Sequence, residues 1–129
     1  MDAHFIVRAD PARDLIRIEM SGFFTEADLQ AFCAARAAEH ARLTCAPNQH
    51  LTLNDVTKMK VQSQTMVAAF QSLLADPSYR SRRLAFVVDR TLARSQLMRA
   101  LNGRDARCFE NLADAEKWLF TADPTVIAA

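Results

Sequence analysis

Leu84-Ala85-Phe86-Val87-Val88 is an unbroken apolar run, with Arg83 before it and Asp89 after it. A run of this length with no polar alternation predicts a strand buried on both faces. Such a strand belongs inside a mostly parallel sheet, and the neighbouring segments supply the rest of that sheet.

Upstream, His4 to Ala9 and Leu15 to Ser21 read as two strands joined by Asp10-Pro11-Ala12-Arg13-Asp14. Ile16, Ile18 and Met20 alternate with Arg17 and Glu19, the period of a strand with one buried face. A connection this short makes the pair antiparallel, because a parallel crossover needs a dozen or more residues. Thr25 is placed as a helix N-cap, with Glu26 and Asp28 in the first turn where acids favour the helix dipole. Leu29, Phe32, Cys33, Ala37 and Ala41 follow at helical spacing. His50 to Asn54 reads as a short third strand, and Asp55-Val56-Thr57-Lys58-Met59-Lys60 as a polar stretch after it. Met66, Phe70, Leu73 and Leu74 mark one face of a second helix, which Pro77 helps to stop.

Downstream, Thr91 is placed as the cap of a third helix ending at Asn102-Gly103. Ala106 to Phe109 reads as a last short strand. Asn111 caps a final helix, with Leu112, Ala115, Trp118 and Leu119 expected inside. The order is ββαβαβαβα, an α/β fold with a mostly parallel sheet and one antiparallel edge strand. The 129 residues suit a single domain.

Half of the chain is hydrophobic and 24% is charged, the balance of a globular protein. The opening Met1-Asp2-Ala3-His4 lacks the basic-then-apolar pattern of a secretory signal, and no apolar run reaches transmembrane length. Three widely spaced cysteines, Cys33, Cys45 and Cys108, argue against a disulfide framework and for a reducing, cytoplasmic setting. The net charge of +1 is unlike that of a nucleic-acid binder. Residues 80 to 107 hold eight arginines against Asp89 and Asp105, but the strand at 84–88 divides them into patches at opposite ends of the sheet. Few aromatics interleave them, so no nucleic-acid partner is expected.

The opening hairpin ending in Met20-Ser21-Gly22, the strand Leu51-Thr52-Leu53-Asn54-Asp55, the run 84–88 and the closing Phe109-Glu110-Asn111-Leu112 through Leu119 together resemble the STAS domain. This is the anti-sigma-factor-antagonist fold, and the resemblance is to its SpoIIAA-like branch, over nearly the whole chain. The resemblance implies a regulatory, protein-binding module. Antagonists of that family carry a phosphorylatable serine in an Asp-Ser-Ser-Gly stretch shortly after the third strand. Here Lys60-Val61-Gln62-Ser63 stands there, with Val61 in place of the serine and Ser63 reaching it only after a local slip. The branch is also likened to lipid-carrier folds.

Ligands of open α/β sheets sit outside the carboxyl ends of the parallel strands. That rim gathers Asn54, Asp55, Lys58, Lys60 and Ser63 from one loop, and Asp89, Arg90, Thr91 and Arg94 from the next. Two helix N-termini with several cations suit a phosphate or carboxylate. The same residues also serve as helix caps and solvated loop charges. Asp55 and Asp89 have the chemistry of an acid/base pair, but no nucleophile elbow, P-loop or zinc-ligand spacing accompanies them. No enzyme, metal or cofactor is therefore expected. His4, His40 and His50 are not expected to form a site. The leading expectation is a protein-interaction module whose Lys58, Lys60, Arg90 and Arg94 meet an acidic partner. The alternative is a carrier or sensor of a small anionic or lipid-like ligand, with Met59, Met66, Phe70 and Met98 lining an apolar cleft between sheet and helices. Weak homodimerisation through the exposed edge strand is a further expectation.

Overall fold

The computed structural model describes residues 2–89 and 106–121. Among these, five strands form one sheet in the order β1-β2-β3-β4-β5, numbered as they occur in the chain. They are β1 (His4–Asp10), β2 (Leu15–Gly22), β3 (Leu51–Met59), β4 (Arg83–Val87) and β5 (Ala106–Phe109). β1 pairs antiparallel with β2, and the remaining neighbours are parallel. Three helices accompany them: α1 (Glu26–His40), α2 (Gln64–Ala75) and α3 (Leu112–Leu119). The helix expected from Thr91 to Gly103, with Met98, lies outside the described residues, as do Arg90 and Arg94.

The hairpin closes as its short connection requires. Pro11–Arg13 makes one 3₁₀ turn, and Asp14 (φ 53°) takes the left-handed conformation that aspartate tolerates better than most residues. The Asp14 carbonyl then accepts from Leu51 N at 2.7 Å, so the turn also starts the pairing with β3.

Each helix begins where the sequence places an N-cap. Thr25 and Asp28 form a reciprocal capping box on α1, Ser63 accepts from Met66 N on α2, and Asn111 accepts from Asp114 N on α3.

Pleat alternation divides the core in two. Ile16, Ile18, Met20, Val56, Leu84 and Phe86 face α1 and α2, meeting Phe32 and Met66. Leu15, Leu51, Leu53, Ala85 and Val87 face the other way, against Ala115 and Leu119 of α3. The run at 84–88 is thus buried on both sides, as its composition predicts. Leu112 is a correction: it is 45% exposed rather than inside, because the buried stripe of this short helix passes through Ala115 and Leu119.

β3 is longer than its sequence pattern predicts. It continues through Asp55, Thr57 and Lys58 to Met59, so Asp55 and Lys58 lie in a strand and not in a loop. The β2–β3 register is irregular between Glu19 and Ser21: Glu19 pairs with Asp55, but Ser21 pairs with Lys58. β3 therefore carries one extra residue there, the mark of a bulge. The Asp55 carboxylate accepts from Thr57 N at 3.1 Å and from Thr57 Oγ1 at 2.8 Å, which occupies it at the irregularity.

Gln62, buried just beyond β3, fastens the strand ends together. Its Oε1 accepts from Phe24 N at 2.9 Å, and its Nε2 donates to Gly22 O at 3.0 Å and to Lys60 O. Leaving the buried Phe24 N–H unpaired costs about 1–3 kcal/mol. Gln62→Ala is expected to lower unfolding free energy by about 2 kcal/mol in urea titration. Gln62→Glu should recover only part of this, since a carboxylate accepts from Phe24 N but cannot donate to the two carbonyls.

Candidate functional site

At the carboxyl ends of β2 and β3, the rim holds Lys58 and Lys60, both exposed, and Ser63, whose hydroxyl is engaged in capping α2. Lys60 N donates to Gly22 O at 3.2 Å, which keeps the end of β3 beside the end of β2. Asp89 follows β4 at the same end of the sheet. Asp55 sits one pleat back and belongs to the face away from α1 and α2, with Glu19, Thr57 and Lys58 around an open hollow. Asp55 and Asp89 are thus assigned to different surroundings, since Asp89 lines the cavity on the α1/α2 face. Two large apolar side chains join this rim: Phe23, which sequence reading passes over, is 49% exposed, and Val61 is 42% exposed.

The second feature is a cavity of about 110 Å³ between the sheet and α1/α2, open to solvent. It exists because neither helix seats a full apolar stripe on the strands. Phe32 alone is fully buried in α1 and Met66 alone in α2. Phe70, Leu73 and Leu74 are only half-buried and line the space, opposite Ile18, Met20 and Val56.

The end of this cavity near the start of β3 is polar. α1 ends with Arg36 and His40 on its inner side, and His50, Thr52 and Asn54 point up from β3 and the residue before it. Tyr79 and Ser81 arrive from the segment before β4. The His40 ring meets the His50 ring edge-on at 4.7 Å and the Tyr79 ring at 5.1 Å. The Arg36 guanidinium lies 4.4 Å over the Tyr79 ring, a cation–π contact. Ser81 Oγ bonds Thr52 Oγ1 and lies 3.3 Å from His50 Nε2. Among the described residues, two buried atoms have no hydrogen-bond partner, Arg36 Nε and Asn54 Oδ1.

His40 and His50 are thus brought together in ring contact. A helix that crosses from one parallel strand to the next ends beside the start of that strand, which is where these two residues stand. Among the described residues no group of three His, Cys, Asp or Glu is placed to hold a metal ion.

Electrostatics follow burial. Desolvation pushes the Arg36 guanidinium below its usual range, with the thiol of Cys33, the phenol of Tyr79 and the carboxylate of Asp76 opposing it. Burial holds the His40 imidazole below its ordinary value, and the Arg36 charge adds to this. The Cys45 thiol is raised by burial and by the Asp14 carboxylate, which disfavours the nucleophilic thiolate. Glu39 is lowered by accepting from Ala9 N at 3.0 Å, a contact that joins α1 to the edge strand β1.

Two arginines of the basic segment, Arg83 and Arg107, have separate duties. Arg83 Nη1 donates to Trp118 O at 2.7 Å and Thr121 O at 3.0 Å, closing the C-terminus of α3. Arg107 lies 5.3 Å from the Trp118 ring centroid.

Solved structures share this fold. One is an uncharacterized protein of the DUF3478 family with a SpoIIAA-like fold from Shewanella loihica PV-4. It has a TM-score of 0.70 and 17% identity, covering 92% of this chain and 96% of that one. The fold is SpoIIAA-like. The second is an anti-sigma factor antagonist from Mycobacterium paratuberculosis, with a TM-score of 0.61, 13% identity, and coverage of 93% and 96%. No family model and no curated protein matches the chain. Among the described residues no helix is long and apolar enough to cross a membrane.

In this SpoIIAA-like domain the lowered His40 value links stability to pH. The folded state prefers the neutral ring, so the unfolded chain binds the extra proton as pH falls through the ordinary histidine range. Stability is full above that range and declines below it. Thermal unfolding should therefore give a lower Tm at about pH 5.5 than at about pH 7.5, with the difference reduced in His40→Gln. Glu39 and Asp28, also lowered, act at more acidic pH. An unchanged pH dependence in the variant would contradict this assignment.

Proposed function

We propose that the chain is a non-enzymatic, cytoplasmic regulatory module that binds a partner protein on the rim where β2 and β3 end. The observation that carries this is the pairing of exposed apolar and cationic side chains there: Phe23 and Val61 beside Lys58 and Lys60. A soluble domain gains nothing by exposing two large apolar residues on neighbouring strand ends, and interfaces commonly place such anchors inside a polar rim. The cations favour a partner with acidic residues around an apolar pocket.

The fold shared with an anti-sigma factor antagonist supports a protein-directed role. Val61 adds apolar surface where the resemblance to antagonists implies a phosphorylatable serine, so partner choice here rests on the patch itself. Three free cysteines suit a reducing compartment. Asp55 is tied to Thr57, and Ser63 to the α2 cap, so in this reading both support the rim's shape.

The triple substitution Phe23→Ser, Lys58→Glu, Lys60→Glu should abolish capture of the partner from lysate of the native host. Loss of one anchor alone corresponds to at least ~2 kcal/mol, or about 30-fold in Kd. Capture by wild type should weaken as salt is raised, because exposed cations are screened. Equal capture by the triple variant, with unchanged circular dichroism, would exclude this surface.

A further inference from the structure

We propose that the cavity between the sheet and α1/α2 is a binding site for a small amphipathic monocarboxylate, with Arg36 receiving the carboxylate and a water held with the ligand donating to Asn54 Oδ1. The cavity reaches the rim at Lys60 and Gln62, but Arg36 and Asn54 lie away from the exposed patch, and the site extends the function beyond partner binding.

The first ground is the pair of buried atoms without partners. Asn54 is only 8% exposed, and its Oδ1 accepts nothing from the described residues. Arg36 Nε is likewise buried and donates to nothing. Buried polar groups in folded proteins are satisfied with few exceptions, and an unsatisfied one costs stability. Two such atoms lining a single cavity are explained together if a ligand completes them.

The second ground is charge. Arg36 stays protonated at any ordinary pH and carries a planar fork of donors suited to a carboxylate. Among the described residues no carboxylate pairs with it. Asp76 is the acid that its charge senses, but no ion pair forms and the Asp76 carboxylate accepts from Ser78 N at 2.9 Å. Stacking on Tyr79 holds the guanidinium in place and leaves its donors free. This is a half-buried, oriented cation with an open coordination side.

The third ground is the division of the walls. Ile18, Met20, Val56, Phe70, Leu73 and Leu74 offer an apolar surface, while Arg36, His40, His50, Tyr79 and Ser81 mark one end as polar. A ligand with an apolar body and one anionic head matches that polarity. The volume limits its size. About 110 Å³ is smaller than the engineered cavity of about 150 Å³ that takes up benzene. Because the cavity is open to solvent, its walls take up a short alkyl chain or part of a ring and leave the rest of the ligand toward the mouth.

The test uses the full chain and four probes: phenylacetate and hexanoate, with 2-phenylethanol and 1-hexanol as their uncharged counterparts. Titration calorimetry, with amide chemical shifts to locate the site, should show binding of at least one carboxylate. Shifts should concentrate at Arg36, Asn54 and Phe70. The matching alcohol should bind at least about tenfold more weakly, and Arg36→Gln should weaken carboxylate binding by a similar factor. Leu73→Phe, which fills the apolar wall, should remove binding without loss of Tm, and it serves as the variant of record if Arg36→Gln does not fold. Absence of binding by both carboxylates, alcohol binding as tight as carboxylate binding, or undiminished binding in Leu73→Phe would each overturn the proposal.

Discussion

Everything in this domain depends on the two-faced pleat of β3 and β4. A strand in the middle of a parallel sheet has no solvent on either side, so each residue is committed to one of two cores. β4 meets the constraint with apolar residues throughout. β3 meets it only on the side of α3, where Leu51 and Leu53 pack with Ala115 and Leu119. On the side of α1 and α2 it presents Thr52 and Asn54 beneath two helices. Polar atoms in that position need partners. Ser81 supplies one for Thr52, and the cavity takes shape around the remainder.

That asymmetry separates the two ends of the molecule. At the carboxyl ends of the strands, Gln62 and the Lys60–Gly22 contact fix a firm rim on which Phe23 and Val61 stand exposed. At the opposite end, α1 and the segment before β4 lean over the start of β3 and gather Arg36, His40, His50 and Tyr79. The rim is apolar and cationic, the character that the proposed partner surface calls for. The other end is concave, with an apolar wall and one oriented cation, and suits something small.

Much of the fold is legible in the sequence because local rules and burial agree. The run at 84–88, the alternation of Ile16, Ile18 and Met20, and the caps Thr25 and Asn111 all appear where short-range pattern places them. β3 escapes that reading beyond Asn54. α3 covers the part of the sheet around β3, β4 and β5, so Asp55 and Thr57 emerge near its margin and look like loop residues in composition. The extra residue at the bulge then shifts the alternation out of phase. Leu112 misleads for a related reason: in an eight-residue helix, one apolar residue in the first turn can lie off the buried stripe.

The candidate site is less legible because its parts are distant in sequence. Arg36, His50 and Tyr79 come from a helix, the start of a strand and a 3₁₀ turn, and each alone has an ordinary structural explanation. Attention to strand carboxyl ends leads to the rim, whereas the polar constellation forms at the amino ends. The topology does contain the clue, since each crossover helix must finish beside the strand it feeds. Reading His40 and His50 through that connection places them together before any side chain is seen.

The central claim is that the α1/α2 face of β3 keeps a polar group that the described residues do not satisfy. The direct measurement is the Tm of Asn54→Leu, which replaces that amide with an apolar side chain of similar size. If Asn54 Oδ1 is held unpaired, the substitution removes a buried penalty of about 1 kcal/mol or more and Tm rises by about 3 °C or more. A Tm that falls by several degrees would show that Asn54 is a satisfied part of the core and would contradict the account.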